Sequence, residues 1–273
     1  MFSKKILFML FVSITLMSFF SGIFVGIYKI PPYELLNKIH DKFIDTKTTL
    51  HEQSTISQEV ASMIRINSTN DVIKERSNLI YYIWKQNDFP IHELPTKVIT
   101  DFKDERYHDM SNLSRIDKIS TEMEYGVTSD AYLFLAKSSN AKLVIYHQGH
   151  DGDFILGKNT IQFFLSHNYS VLALSMPLMG NNSQPTVNLP HFGKMQLLNH
   201  DDLQFLETNN FTPIKYFVHP IVTSLNYIDQ NYNYDSFYMV GISGGGWTTA
   251  FYSAIDPRIT KSFPVSGTAP MYL

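Results

Sequence analysis

The sequence predicts an α/β fold, a mostly parallel sheet with flanking helices, preceded by a helical region and an apolar N-terminal segment. Three observations predict it. Short apolar runs alternate with helical patterns through the second half of the chain, the rhythm of parallel strands joined by right-handed crossovers. A glycine-rich turn, Gly241-Ile242-Ser243-Gly244-Gly245, joins one such run to one such helix. Residues 6–28 carry no charged side chain at all.

Composition sets the outer bounds. A chain of 273 residues with 44% hydrophobic and 17% charged content is long and apolar enough to bury a sizeable core. A formal net charge of −3 gives no electrostatic case for nucleic acid as a partner. The ten histidines show no ligand spacing such as His-Glu-x-x-His, so no metal site is expected. Cysteine is absent, which excludes a disulfide scaffold, a thiolate nucleophile and a cysteine-based metal centre. No cofactor is expected either. The turn at Ser243 does not fit Gly-x-Gly-x-x-Gly, and no Gly-Lys-Ser/Thr phosphate loop occurs.

The N-terminus predicts a signal-anchor over residues 1–29. Lys4 and Lys5 precede the uncharged run and Lys29 closes it. At about 1.5 Å per residue that run covers roughly 35 Å, enough for a hydrocarbon core of about 30 Å. A cleaved signal peptide has a shorter apolar region and a small-x-small site, so it is the alternative; a buried core helix is the third reading. The lysines ahead of the run favour a single pass with the main domain outside the cytoplasm, or secretion if the segment is cleaved.

Pro31-Pro32 ends this segment. Residues 30–113 read as a helical stalk or cap. Leu35, Leu36, Ile39 and Phe43 recur at helical spacing, as do Ile73, Ser77, Ile80, Tyr81 and Trp84. The stretch 88–113 is polar and irregular, which places the boundary of the main domain near Ser114. Within 114–273, strands are expected at 116–125, 131–136, 142–146, 169–174, 236–240 and 262–265. Helices are expected at 158–167, 213–230 and 247–255, with a long polar loop over 175–210. The run Lys-Leu-Val-Ile-Tyr at 142–146 has the continuous apolarity of a strand buried on both faces.

Chemistry concentrates at two places. Gly241, Ser243 and Gly245 satisfy Gly-x-Ser-x-Gly, with an apolar strand before and a helical pattern after. A serine lifted above a strand end on a sharp turn needs a strained backbone and neighbours without side chains. The same turn aims the Gly244 N–H and a helix N-terminus at an oxyanion forming on a substrate. The second place is the loop Gln148-Gly149-His150-Asp151 after the 142–146 strand. Gly149 permits close backbone approach, which makes the His150 N–H the expected second donor, with Gln148 or Gly149 next. His147 and His150 also invite a role as base or ligand, against the plainer one of stabilising the loop.

These segments resemble the α/β-hydrolase superfamily, near the acetyl-xylan-esterase and dienelactone-hydrolase types. Met176-Pro177-Leu178-Met179-Gly180, Asp256-Pro257-Arg258-Ile259 and Pro264-Val265-Ser266-Gly267 add to the likeness, which covers residues 116–273. It implies a serine hydrolase acting on carboxylic esters through an acyl-enzyme on Ser243, with small-molecule or polymer-borne esters as substrates. The oxyanion hole would be Gly244, His150 and Gly149, and the nucleophile elbow Gly241 and Gly245. The resemblance also implies an acid and then a histidine after the nucleophile. Residues 244–273 contain one acid, Asp256, and no histidine. Asp256 reads as a turn former, and the expectation is a hydrolase core incomplete at its C-terminus. An upstream histidine taking the base's place would be His150 first, then His191 or His219. The alternative is a catalytically inactive, membrane-tethered remnant or binding protein of the same fold. Met176, Met179, Phe192 and Met195 are candidates for an acyl pocket, or for packing the 175–210 loop onto the core.

Overall fold

A computed structural model describes residues 66–150, 152–189 and 193–268, together with Met17, Ser18, Phe20, Ser21 and Val25. The chain divides into two compact units, one of residues 1–65 and one that begins at Ile66. In the first unit the five described residues are helical, and the rest of the expected signal-anchor lies outside the described residues. Among the described residues no helix is long and apolar enough to cross a membrane.

The second unit is built on a seven-stranded sheet in the order β1-β2-β3-β5-β4-β8-β9. Its strands are β1 (Lys97–Ile99), β2 (Leu113–Glu122), β3 (Thr128–Ala136), β4 (Lys142–His147), β5 (Ser170–Leu174), β8 (Ser236–Ile242) and β9 (Ile259–Val265). β5, β4, β8 and β9 run parallel, as predicted, while β1, β2 and β3 extend the sheet antiparallel. The chain passes from β4 outward to β5, then crosses back to place β8 on the other side of β4. The loops leaving β4 and β8 therefore diverge, which opens a crevice at the carboxyl ends of the two strands.

The alternation within β4 explains why the sheet is covered on both faces. Leu143 and Ile145 point into a core with Val218, Ile221, Val222 and Leu225 of α3 (Lys215–Asn231) and Tyr252 and Ile255 of α4 (Gly244–Ile255). Tyr146 points the other way, into a core with Ile161 and Leu165 of α2 (Lys158–Ser166) and the rings of Tyr107, Tyr132, Phe134 and Phe154. Residues 143–146 are covered on both faces, which is why this part of the strand reads as an unbroken apolar run.

Two parts depart from the sequence reading. The boundary near Ser114 has no counterpart in the packing, because residues 66–113 belong to the same compact unit as the sheet. α1 (Thr69–Trp84) is capped by Ser68, whose Oγ accepts from the Asp71 N–H. It buries Ile80 and Ile83, and its Arg76 Nε donates to the Ala254 carbonyl at the end of α4. β1 pairs with β2 across Lys97–Ser120, Val98–Ile119 and Ile99–Lys118. The irregular stretch 88–113 thus forms an edge of the sheet. The predicted stalk over 30–65 lies outside the described residues.

The second departure is the 175–210 segment, which is not a plain loop. β6 (Thr186–Leu189) and β7 (Gly193–Gln196) form a separate antiparallel hairpin, followed by a 3-10 helix at His200–Leu206. Val187, Leu189, Leu197, Leu203 and Leu206 make a small core of their own with Met123, Val127 and Tyr216. Asn199 caps the 3-10 helix in a box with Asp202, which explains the polar look of this stretch in sequence.

Candidate active site

Ser243 stands between β8 and α4 with φ 54° and ψ −124°, a backbone conformation that side chains other than glycine rarely adopt. The turn is held from both sides. The Ser243 N–H donates to the Val265 carbonyl at 2.9 Å, and the Trp247 N–H donates to the Ser243 carbonyl at 3.1 Å. The serine side chain is exposed in the crevice where the β4 and β8 loops part.

The glycines on either side are sterically required. A Cβ at Gly241 would overlap the Gly245 carbonyl, and one at Gly245 would overlap the His147 carbonyl and lie 2.6 Å from that of Gln148. The β8–α4 turn is thereby pressed against the end of β4, which brings the two chemical segments together. Gly149 lies directly against the nucleophile. A Cβ there would stand 2.9 Å from Ser243 Cβ and 2.8 Å from the Ile242 carbonyl oxygen. The His150 ring lies over Gly244, where a Cβ would come within 2.5 Å of its Nδ1.

The choice of oxyanion donor narrows. The Gln148 N–H continues the sheet by donating to the Leu174 carbonyl at 2.9 Å, so it is not free to bind a substrate. Among the described residues, the N–H groups of Gly149, His150 and Gly244 have no backbone acceptor. They border the same space as Ser243 Oγ.

The histidines separate by environment. His147 is buried at the end of β4, donates from Nδ1 to the Gln148 carbonyl at 3.0 Å, and is pushed down to about 4 by burial. It stays neutral and holds the loop. His219 is on α3, away from the crevice. The Trp84 Nε1–H donates to its Nδ1 at 3.1 Å, so the proton sits on Nε2, which faces Glu93 at 3.4 Å. Burial pushes His219 down to about 4, so this contact is one between a neutral imidazole and a carboxylate, not an ion pair. His191 lies outside the described residues. Neither His147 nor His219 is placed to take a proton from Ser243; among the described substitutes His150 is the one in the crevice.

A second imidazole beside it was not foreseen. His200 meets His150 edge-to-face, with ring centroids 4.9 Å apart. It donates from Nε2 to the Pro177 carbonyl at 2.8 Å, and burial lowers its pKa from the ordinary value. His150, His200, Met176, Phe217, Trp247 and Ser243 line a cleft of about 380 Å³. Of the four apolar candidates from the 175–210 segment, Met176 is in this cleft. Met195 packs against the hairpin core, Met179 does not line the cleft, and Phe192 lies outside the described residues. His200 and Phe217 carry no local motif and are brought here by tertiary packing, whereas Trp247 lies one helical turn after Ser243.

Asp256 is a structural acid. It is fully buried and accepts from the Tyr252 hydroxyl at 2.5 Å, the Arg258 N–H at 2.9 Å and Arg258 Nη2 at 2.8 Å. Among the described residues no side chain hydrogen-bonds Ser243 Oγ, and no group of three or more His, Cys, Asp or Glu could hold a metal ion. A second cavity of about 410 Å³ lies between α2 and the β8–β9 face, lined by Phe163, Tyr169, Tyr238 and Phe263 with Lys142 and Lys261. It is larger than the Ser243 cleft, and no serine is among the described residues that line it.

No family model matches the chain, and no curated protein matches it. Among solved structures, it is similar to an esterase from Pyrococcus furiosus, with 14% identity and a TM-score of 0.44 over 66% of this chain and 58% of that one. An acetyl xylan esterase from a Paenibacillus species is 17% identical, with a TM-score of 0.43 over 72% and 59% of the two chains. Acetyl xylan esterase 1 from a Thermoanaerobacterium species is 18% identical, with a TM-score of 0.45 over 69% and 56%. The chain thus spans 56 to 59% of the length of these structures.

Proposed function

We propose that the chain carries the nucleophile and oxyanion hole of a serine hydrolase that cleaves carboxylic esters through an acyl-enzyme on Ser243. The observation that carries this reading is the geometry of Ser243 itself. A non-glycine residue is held at positive φ at the head of α4, exposed, with backbone N–H groups from two loops beside it. An exposed nucleophile aimed along a helix N-terminus accounts for that strain.

In this reading Ser243 Oγ attacks the ester carbonyl carbon. The N–H groups of Gly244 and His150, with that of Gly149 beside them, hold the charge that develops on the carbonyl oxygen. The carbon–oxygen bond to the alcohol then breaks, and the proton released by Ser243 reaches the departing alkoxide through a base. Water reverses the sequence to free the acid. Among the described residues, no acid–histidine pair hydrogen-bonds Ser243 Oγ.

The experiment is labelling with a fluorophosphonate, followed by mass spectrometry of the modified peptide. Modification at Ser243 that disappears in Ser243→Ala supports the reading. An unlabelled, folded protein favours the inactive remnant. The membrane-anchored, extracytoplasmic placement is also proposed, on the strength of Lys4-Lys5 and the uncharged run at 6–28. Alkaline carbonate extraction and protease protection of spheroplasts test it. Release by carbonate, or a main domain shielded from added protease, would remove it.

A further inference from the structure

We propose that the Ser243 cleft takes an unbranched, uncharged acyl chain of about four to eight carbons, held against Trp247, Phe217 and Met176. The inference rests on reading the cleft as the ester site, and it concerns what part of the ester the cleft receives.

Four observations carry it. Among the described residues that line the cleft none is Asp, Glu, Lys or Arg, so a charged group would find no partner among them. Side chains that can hydrogen-bond are few: His150, His200, Ser243 and Ser266 among the described lining residues, with His200 Nε2 taken up by the Pro177 carbonyl. A polyhydroxylated ring would therefore lose its water-bound hydrogen bonds and find few in exchange. The apolar wall, in contrast, is rigid. Trp247 stacks on Phe251 at 5.2 Å with the ring planes 7° apart, and meets Phe217 edge-on at 5.5 Å. Phe217 meets His200 edge-on at 5.1 Å, so one continuous row of rings runs up to the nucleophile. Met176, buried and against Gly244, closes the wall with an adaptable side chain. A volume of about 380 Å³ is far more than an acetyl group fills.

Trp247 also supplies the readout, since the chain has only two tryptophans and Trp84 is hydrogen-bonded to His219 outside the cleft. Tryptophan emission is followed while the protein is titrated with acetamide, butanamide, hexanamide and octanamide. These amides keep the carbonyl and need no activated serine. The expected result is saturable binding that tightens roughly three- to fourfold per added methylene up to octanamide, with no saturation by acetamide. The emission change is lost in Trp247→Phe, is kept in Trp84→Phe, and shifts to at least tenfold higher concentration in Phe217→Ala. Equal affinity across the series, or an emission change that survives Trp247→Phe, overturns the proposal. Should Trp84→Phe fail to fold, the comparison of the unmodified protein with Trp247→Phe decides alone. Chain-length-dependent binding without fluorophosphonate labelling sinks the acyl-enzyme reading and leaves this one standing; labelling without chain-length dependence does the reverse.

Discussion

Gly149 and Ser243 come from loops after different strands, yet a methyl group on the first would stand 2.9 Å from the Cβ of the second. Contact this close means that the oxyanion loop and the nucleophile cannot move independently.

Gly149→Ala is therefore expected to push the loop away from the elbow while the sheet stays folded. The loss of one well-aligned donor lowers the rate of Ser243 phosphonylation by roughly 10²–10³-fold. Inactivation kinetics beside a melting curve check it; an unchanged rate would separate Gly149 from the oxyanion hole.

Gly245→Ala acts on folding instead. The added Cβ meets the carbonyls of His147 and Gln148, which are backbone atoms at the end of a central strand and have nowhere to go. A loss of about 1–3 kcal/mol or more is expected. Chemical denaturation measures it, and a variant as stable as the parent contradicts the packing described for the elbow.

Asp256→Ala tests whether the single acid after the nucleophile is structural. It would leave the Arg258 guanidinium, now shared between Asp256 and Asn226, without its carboxylate, and would unpair the Tyr252 hydroxyl. The expected cost is about 3–5 kcal/mol of stability. The phosphonylation rate of the folded fraction should be unchanged. A specific loss of labelling without loss of stability would return Asp256 to the chemistry.

His147 and His219 give the fold a pH dependence. Both are pushed down to about 4 by burial, from an ordinary value of 6.5. Between those values the unfolded chain binds protons that the folded protein refuses, so stability falls as pH drops from about 6.5 towards 4. Above about pH 7 both states hold neutral imidazoles and this contribution is flat. Within the window each histidine contributes up to about 1.4 kcal/mol per pH unit. Urea unfolding at a series of pH values checks the sign, and His219→Gln should reduce the slope.

What the sequence disclosed follows from range. β4, β5 and β8 were legible because each is specified by its own apolar run, and the Ser243 elbow because its glycines are required by atoms a few residues away. α3 was legible from its long apolar pattern. β6, β7 and the 3-10 helix at His200–Leu206 were not, since their apolar residues are spaced for a small satellite core rather than for the sheet. β1 was hidden for a different reason. It is three residues long, at the edge of the sheet, and partly exposed, so no periodicity can develop. His200 was invisible as a site residue because no local pattern links it to His150, 50 positions earlier. Only the folding of the intervening hairpin sets their rings 4.9 Å apart.

The hairpin segment has a consequence for how such a cleft can be altered. It leaves the sheet at the end of β5 and returns at α3, and its apolar side chains gather in a small core with Met123, Val127 and Tyr216, apart from the cores on either face of the sheet. Met176 and His200 sit near its two ends, where it touches the crevice. The stretch is thus an exchangeable cassette: its length and interior can be rewritten, and the pocket resized, while the seven strands and the turn that hold Ser243 remain as they are.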